Sequence, residues 1–284
     1  MSLLCSDVSR LLPGIGAGRD VSLAERVWHP SWRYGGLEQD SSCAKGYDTA
    51  HQLILEHCDK GSAVTPFVLH CGNPPLPISL TDVPLTSASP VPTNEECDSL
   101  FSAVGTIADP RVIVLGNDAS LAAVLTRLMR TERLHFEIAF VPETATSAGH
   151  IYRLGTGSRA AKVAMTGTAS PVPLIRDDAG KAVVGRAVVH GPAGTDLEGE
   201  AYVDDTQLFS GAVSGVEVIP TPEMPGLKAR VTGRRRLFGR RWTSGRAMQL
   251  GAIAAHLTRD GVPGDREVKR STFYRHDREW LLVR

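Results

Sequence analysis

The sequence has no long apolar run. The longest stretches, such as Val112 to Leu115 and Leu281 to Val283, fall far short of a membrane span. It has no net charge either, with 31 Lys and Arg against 31 Asp and Glu, which argues against a globally basic coat for nucleic acid. No basic start leads into an apolar stretch, so no secretory leader is read, and no repeat or low-complexity tract is present. The expectation is a soluble, cytoplasmic protein. Cysteine is scarce and odd in number: Cys5, Cys43, Cys58, Cys71 and Cys97, with no Cys-x-x-Cys pair. A secreted disulfide framework would use an even set, so reduced thiols are expected. His57-Cys58 and His70-Cys71 offer zinc-type ligands, but a buried cysteine is more simply a small hydrophobe.

What is present is enough apolar material for a real core, 42% of 284 residues, in one large domain or two ordinary ones. The first hundred residues carry little pattern. Gly14, Gly16 and Gly18 do not complete a dinucleotide fingerprint, because Arg19 stands where the third glycine belongs. Asp48 to Cys58 has helical spacing, and the prolines from Pro74 to Pro92 exclude a long helix after it.

From residue 93 the signals sharpen. Thr93 with Glu96 is a capping box that opens a helix to about Val104. Val112 to Leu115 is a continuous apolar run of the kind buried on both faces of a parallel sheet. Gly116-Asn117-Asp118-Ala119-Ser120 turns into a helix with Leu121, Leu125, Leu128 and Met129 on one face, and Phe136 to Val141 is a further strand. This is an α/β unit. Beyond Gly157 the pattern becomes β-rich, with runs at Ala182 to Val189, Val213 to Ile219, Leu227 to Val231 and Trp280 to Val283. Gly261 after Asp260, and His276-Asp277 between Phe273 and Trp280, read as hairpin turns. The expected architecture is an α/β domain over 1–157 and an antiparallel, sandwich-like β domain over 158–284.

A turn at the carboxyl end of a buried parallel strand is where open α/β sheets bind ligands, and a helix N-terminus suits phosphate. Asn117 or Asp118 could equally be a plain cap. Val112 to Leu121 resembles the strand and Gly-Gly-Asp-Gly-Thr loop of the diacylglycerol kinase catalytic domain, a superfamily that includes bacterial lipid kinases and is related to NAD kinases. Pro142 to Ala148 stands where that family has its Pro-x-Gly-Thr-x-Asn loop, and Asp260-Gly261-Val262 where it has a late Asp-Gly-Glu turn. Asn117 and Ala119 replace the glycines flanking Asp118, and Val262 replaces the last acid. Asn73-Pro74 and His29-Pro30 are only fragments of the family's early Asn-Pro-x-x-Gly segment. The resemblance implies a three-layer α/β domain, with the chain's last strand returning to it. It also implies ATP and Mg²⁺ as cofactors and phosphoryl transfer to a lipid hydroxyl. Gly116, Asn117, Asp118, Ala119, Ser120 and Thr144 would lie at the nucleotide, and Asp118 and Asp260 would carry the chemistry.

The acids Glu198, Glu200, Asp204 and Asp205 read as solvated residues flanking a strand rather than a cation site. Between Lys228 and Arg259 there is no Asp or Glu, while Arg234, Arg235, Arg236, Arg240 and Arg241 cluster with Phe238 and Trp242. Such a segment suits anionic lipid at a membrane surface, or nucleic-acid phosphates with aromatic stacking, or is a solvated hairpin. Three functions therefore stay open: a lipid kinase-like enzyme, a non-catalytic binder of nucleotide or anionic lipid with the same fold, and a nucleic-acid-binding protein. A homodimer is compatible with each.

Overall fold

The computed structural model describes residues 64–107, 109–233 and 241–284. The helix expected over Asp48 to Cys58, the Gly14 to Gly18 stretch, His57-Cys58 and the arginines at 234, 235, 236 and 240 lie outside the described residues.

The chain enters a sheet with β1 (Thr65–Cys71) and β2 (Leu85–Ala88), then forms helix α1 (Asn94–Val104). Thr93 caps α1: its hydroxyl accepts from Glu96 N, and its own N–H donates to the Glu96 carboxylate at 2.7 Å. The capping box read from the sequence is therefore present. Strand β3 (Pro110–Leu115), helix α2 (Asp118–Arg130) and strand β4 (Glu137–Val141) follow, then α3 (Ser147–Ile151), α4 (Gly157–Thr166) and β5 (Ala169–Val172). Strands β1, β2, β3 and β4 pair in parallel.

Every residue of β3 is buried, and alternation along the strands sorts side chains into two cores. Phe67, Leu69, Val112, Val114, Ile138 and Phe140 pack with α1 and α2. Val68, Ile113, Leu115, Ala139 and Val141 pack on the other face with Ala160, Ala161 and Ala164 of α4. Helices cover both faces of the sheet, which makes the three layers. Arg111 is buried in β3, pairs with Glu137, and donates to the carbonyls of Ala164, Met165 and Gly167 at the end of α4.

The rest of the chain builds a separate antiparallel sheet of 11 strands. These are β6 (Ile175–Asp177), β7 (Ala182–Val183), β8 (Ala187–His190), β9 (Leu197–Val203), β10 (Thr206–Val213), β11 (Gly215–Pro220), β12 (Leu227–Thr232), β13 (Thr243–Gly245), β14 (Ala247–Arg259), β15 (Val262–Pro263) and β16 (Val268–Arg275). The long strand β14 pairs with β9 over its first half and with β8 over its second, with an irregularity against β16 between Gly251 and Ala255. That break lets the sheet bend around one core containing Val189, Ala201, Val218, Met248, Leu257 and Phe273.

Strand β17 (Trp280–Val283) leaves this sheet. It inserts between β4, to which it is parallel, and β5, to which it is antiparallel. The His276-Asp277 turn is therefore not a hairpin, because β16 and β17 belong to different sheets. The cause is Trp280, which is fully buried in the first core and cannot remain beside the half-exposed β16. The Asp260-Gly261 turn does close a hairpin, pairing Arg259 with Val262. Among the described residues no helix is long and apolar enough to cross a membrane.

Candidate active site

The turn after β3 is governed by helix capping. Asn117 is the N-cap of α2: its Oδ1 accepts from Ser120 N at 3.0 Å, and its own N–H donates to Ser120 Oγ at 3.1 Å. Ser120 is fully buried and its hydroxyl also donates to Pro90 O. Gly116 is required by packing, since a β-carbon there would stand 2.5 Å from Ser120 Oγ and 2.9 Å from Cys71 Cβ. Ala119 is buried and lines a cleft. Asn73-Pro74 follow β1 after Gly72, and His70 of β1 pairs with Leu115 of β3, so this fragment sits at the same end of the sheet.

Asp118 opens α2. Its Oδ2 accepts from Ala148 N at 3.2 Å, while its Oδ1 is buried with no hydrogen-bond partner. Opposite it stands Asp260, at the end of β14. Its carboxylate accepts from the amides of Val184 (3.0 Å), Gly185 (2.8 Å) and Arg186 (2.8 Å). Burial is the main cause that pushes the Asp260 carboxyl up to about 7; the three N–H donors pull the other way, and the Asp118 charge raises it further. The run Ala182 to Val189 is thus two strands rather than one, because the amides between β7 and β8 turn to this carboxylate instead of pairing in the sheet.

Gly185 sets the spacing of the two acids. A β-carbon there would lie 2.6 Å from Asp118 Oδ2, 3.1 Å from Asp260 Oδ1 and 2.9 Å from Ser147 Cβ. Only hydrogen leaves room for both carboxylates. Tyr152 is buried, and burial followed by the charges of Asp260 and Asp118 raises its pKa.

The second loop reaches the site through residues the sequence reading did not select. Thr144 is exposed in a bend. Thr146 caps α3 by accepting from Gly149 N, and the Ser147 β-carbon packs at Gly185. Thr at the N-cap position is legible as a residue type; the approach of Ser147 to Gly185 is not. Cys71 and Cys97 are buried thiols pushed up to about 12 by desolvation, which keeps them protonated and inert. His70 Nε2 lies 2.7 Å from Pro74 O. Among the described residues no group of three His, Cys, Asp or Glu side chains forms a metal cage.

Beside the acids lies a cleft of about 370 Å³, within the range of ligand pockets. Ala119, Ala122 and Ala123 of α2 form a small-residue wall, Thr93 and Glu95 of the α1 start face it, and Arg130, Lys181 and Arg259 supply cations. Arg130 is anchored on the carbonyls of Ala179 and Gly180, and Arg259 pairs with Asp177.

No protein-family model matches the chain, and no curated protein matches it by sequence. Solved structures do match in fold. A diacylglycerol kinase from Bacillus anthracis str. Sterne aligns with a TM-score of 0.60 at 12% identity, covering 78% of this chain and 97% of its own. An NAD kinase from Archaeoglobus fulgidus, solved in complex with ATP, aligns with a TM-score of 0.52 at 12% identity, covering 77% of this chain and 93% of its own. The chain has the diacylglycerol kinase and NAD kinase fold.

Proposed function

We propose that this protein binds a nucleoside triphosphate in the cleft beside Asp118 and Asp260 and moves its γ-phosphoryl group to an alcohol, with a lipid hydroxyl as the acceptor. The observation that carries this reading is the convergence of two carboxylates, one at the start of α2 and one just after β14, at the glycine gap of residue 185. The cations of the adjoining cleft suit a polyphosphate, and its alanine wall suits a flat base. The ATP bound to the structurally similar NAD kinase supports a nucleotide as the ligand.

The family resemblance implies Mg²⁺, and the residues fit it. Asp118 Oδ1 is a buried carboxylate oxygen without a donor, and Asp260 Oδ1 lies across the same gap. Mg²⁺ is ordinarily held by one or two carboxylates together with phosphates, so the lack of a three-residue cage is no obstacle. Asp118 would hold the ion with Asp260 opposite; when bound, the ion neutralises charge on the transferring phosphate. Asp260 Oδ2 accepts only the Val184 N–H, which leaves a lone pair for the proton of the acceptor hydroxyl. A carboxyl group poised near 7 is matched to that task at neutral pH.

One observation favours a second reading, a nucleotide binder that does not catalyse. The Asn117 side chain occupies the Ser120 amide at the α2 N-terminus, where the resembled family has glycine. Calorimetry with ATP, alongside a transfer assay with diacylglycerol and Mg²⁺, separates the two. Transfer abolished by Asp118→Asn supports the enzyme, binding without transfer supports the second reading, and absence of both defeats the two together.

A further inference from the structure

The outer face of the half-sheet β13-β12-β11-β8 carries a continuous chain of contacts that ends at the carboxylates. Trp242 lies against Arg230, whose guanidinium carbon is 4.3 Å from the ring centroid, and against Lys228 Nζ at 5.2 Å. Arg230 pairs with Glu217 at 2.7 Å, and Glu217 faces Arg186 at 3.9 Å. The Arg186 amide then donates to Asp260. Along this row Arg186, Lys228 and Arg230 meet a single acid, Glu217, whose side chain is largely covered. Inward-facing neighbours on the same strands, Val216, Val218, Leu227 and Ala229, fill the core, so the cations are the solvent side of the strands.

We infer that this face is where the protein sits on an anionic lipid bilayer, with Trp242 at the headgroup level and Lys228, Arg230 and Arg186 over the lipid phosphates. An indole flanked by cations matches the interfacial zone, where an amphipathic ring and basic side chains are both favoured. Nucleic acid is the poorer partner. Single-strand binding uses several rings spaced along a basic groove, and this row holds one, Trp242. The inference rests on the proposed transfer to a lipid hydroxyl. It adds the direction of delivery: an acceptor lying in the bilayer meets Asp260 at the end of the Trp242–Arg186 row.

The test uses the full chain with vesicles of phosphatidylcholine alone or with about a third phosphatidylglycerol, sedimented at physiological salt. Binding to the anionic vesicles and not to the neutral ones is expected. Lys228→Glu should lower the partition coefficient about thirty-fold, two unit charges each worth roughly a factor of five at such a surface. Trp242→Ala should lower it further, with unchanged circular dichroism for both variants. Equal binding to neutral vesicles, wild-type partition by Lys228→Glu, or tight binding to a single-stranded oligonucleotide without vesicle binding overturns the inference. A water-soluble short-chain diacylglycerol, assayed in parallel without vesicles, keeps the two proposals apart. Transfer to it without vesicle binding sinks only the docking face, and vesicle binding without any transfer sinks only the kinase reading.

Discussion

The indole of Trp280 stands edge-on to the phenol ring of Tyr152, with centroids 5.5 Å apart and planes at 88°. This contact joins strand β17 to Tyr152, a phenol that feels the charges of Asp260 and Asp118. Edge-to-face aromatic pairs add to the area they bury, and both rings are almost completely covered. Trp280→Ala is expected to cost about 3–5 kcal/mol in denaturant unfolding. Trp280→Phe should recover most of that loss, since Trp280 Nε1 has no hydrogen-bond partner to forfeit.

Gly185→Ala tests the gap between the acids. The new methyl would sit 2.6 Å from Asp118 Oδ2, and the carboxylate must swing away. Phosphoryl transfer should fall about a hundredfold, the usual effect of displacing a reacting group by an ångström. Stability should drop by only about 1–3 kcal/mol, as for other overpacked sites. Side-by-side turnover and melting measurements separate a damaged site from a damaged fold.

The pH dependence follows from Asp260. Its carboxyl lies at about 7 when folded, against an ordinary value of 3.8, because burial disfavours its charge. Between those values the folded chain holds a proton that the unfolded chain has released. Stability from this group is therefore greatest below pH 4, falls as pH rises toward 7, and then levels. Melting temperatures from pH 4.5 to 8 should show this decline, and Asp260→Asn should flatten it. Transfer activity should run the other way, rising through an apparent pKa near 7 as the base ionises.

Arg111 offers a test of the first sheet away from the carboxylates. Its side chain is buried, paired with Glu137, and bonded to three carbonyls at the end of α4. Arg111→Met leaves those acceptors unpaired and should cost about 3–5 kcal/mol. Chemical denaturation should show the loss. A cost below 1 kcal/mol would mean that water replaces the guanidinium without penalty.

What the sequence made legible was local. The Thr93–Glu96 box, the fully buried β3 and the amphipathic α2 each announce themselves within a few residues, because their signals are spacing and capping. The Asp260-Gly261 hairpin did so too, with φ of 48° and 85° at its two turn residues. Strand β1 was harder, since Pro66 and the prolines after Cys71 hide a strand whose partners are β2 and β3. The site was the least legible part. Asp118 and Asp260 were nameable from their motifs, but the amides that hold Asp260 come from a break inside an apolar run. Likewise the motif singled out Thr144, whereas Ser147 is the loop residue that packs at Gly185. Such relations depend on two sheets meeting, which no window along one strand records.

The position of β17 inverts the order of assembly relative to the order of synthesis. The strand that lies between β4 and β5 is made only after every strand of the antiparallel sheet has been synthesised. Until then β4 and β5 have no partner between them, and a strip of unpaired amides and apolar side chains remains open to the wrong neighbour. Long-range closure of this kind is slow and leaves incomplete intermediates exposed to aggregation. Completion of the first sheet therefore waits on the synthesis of the whole second one.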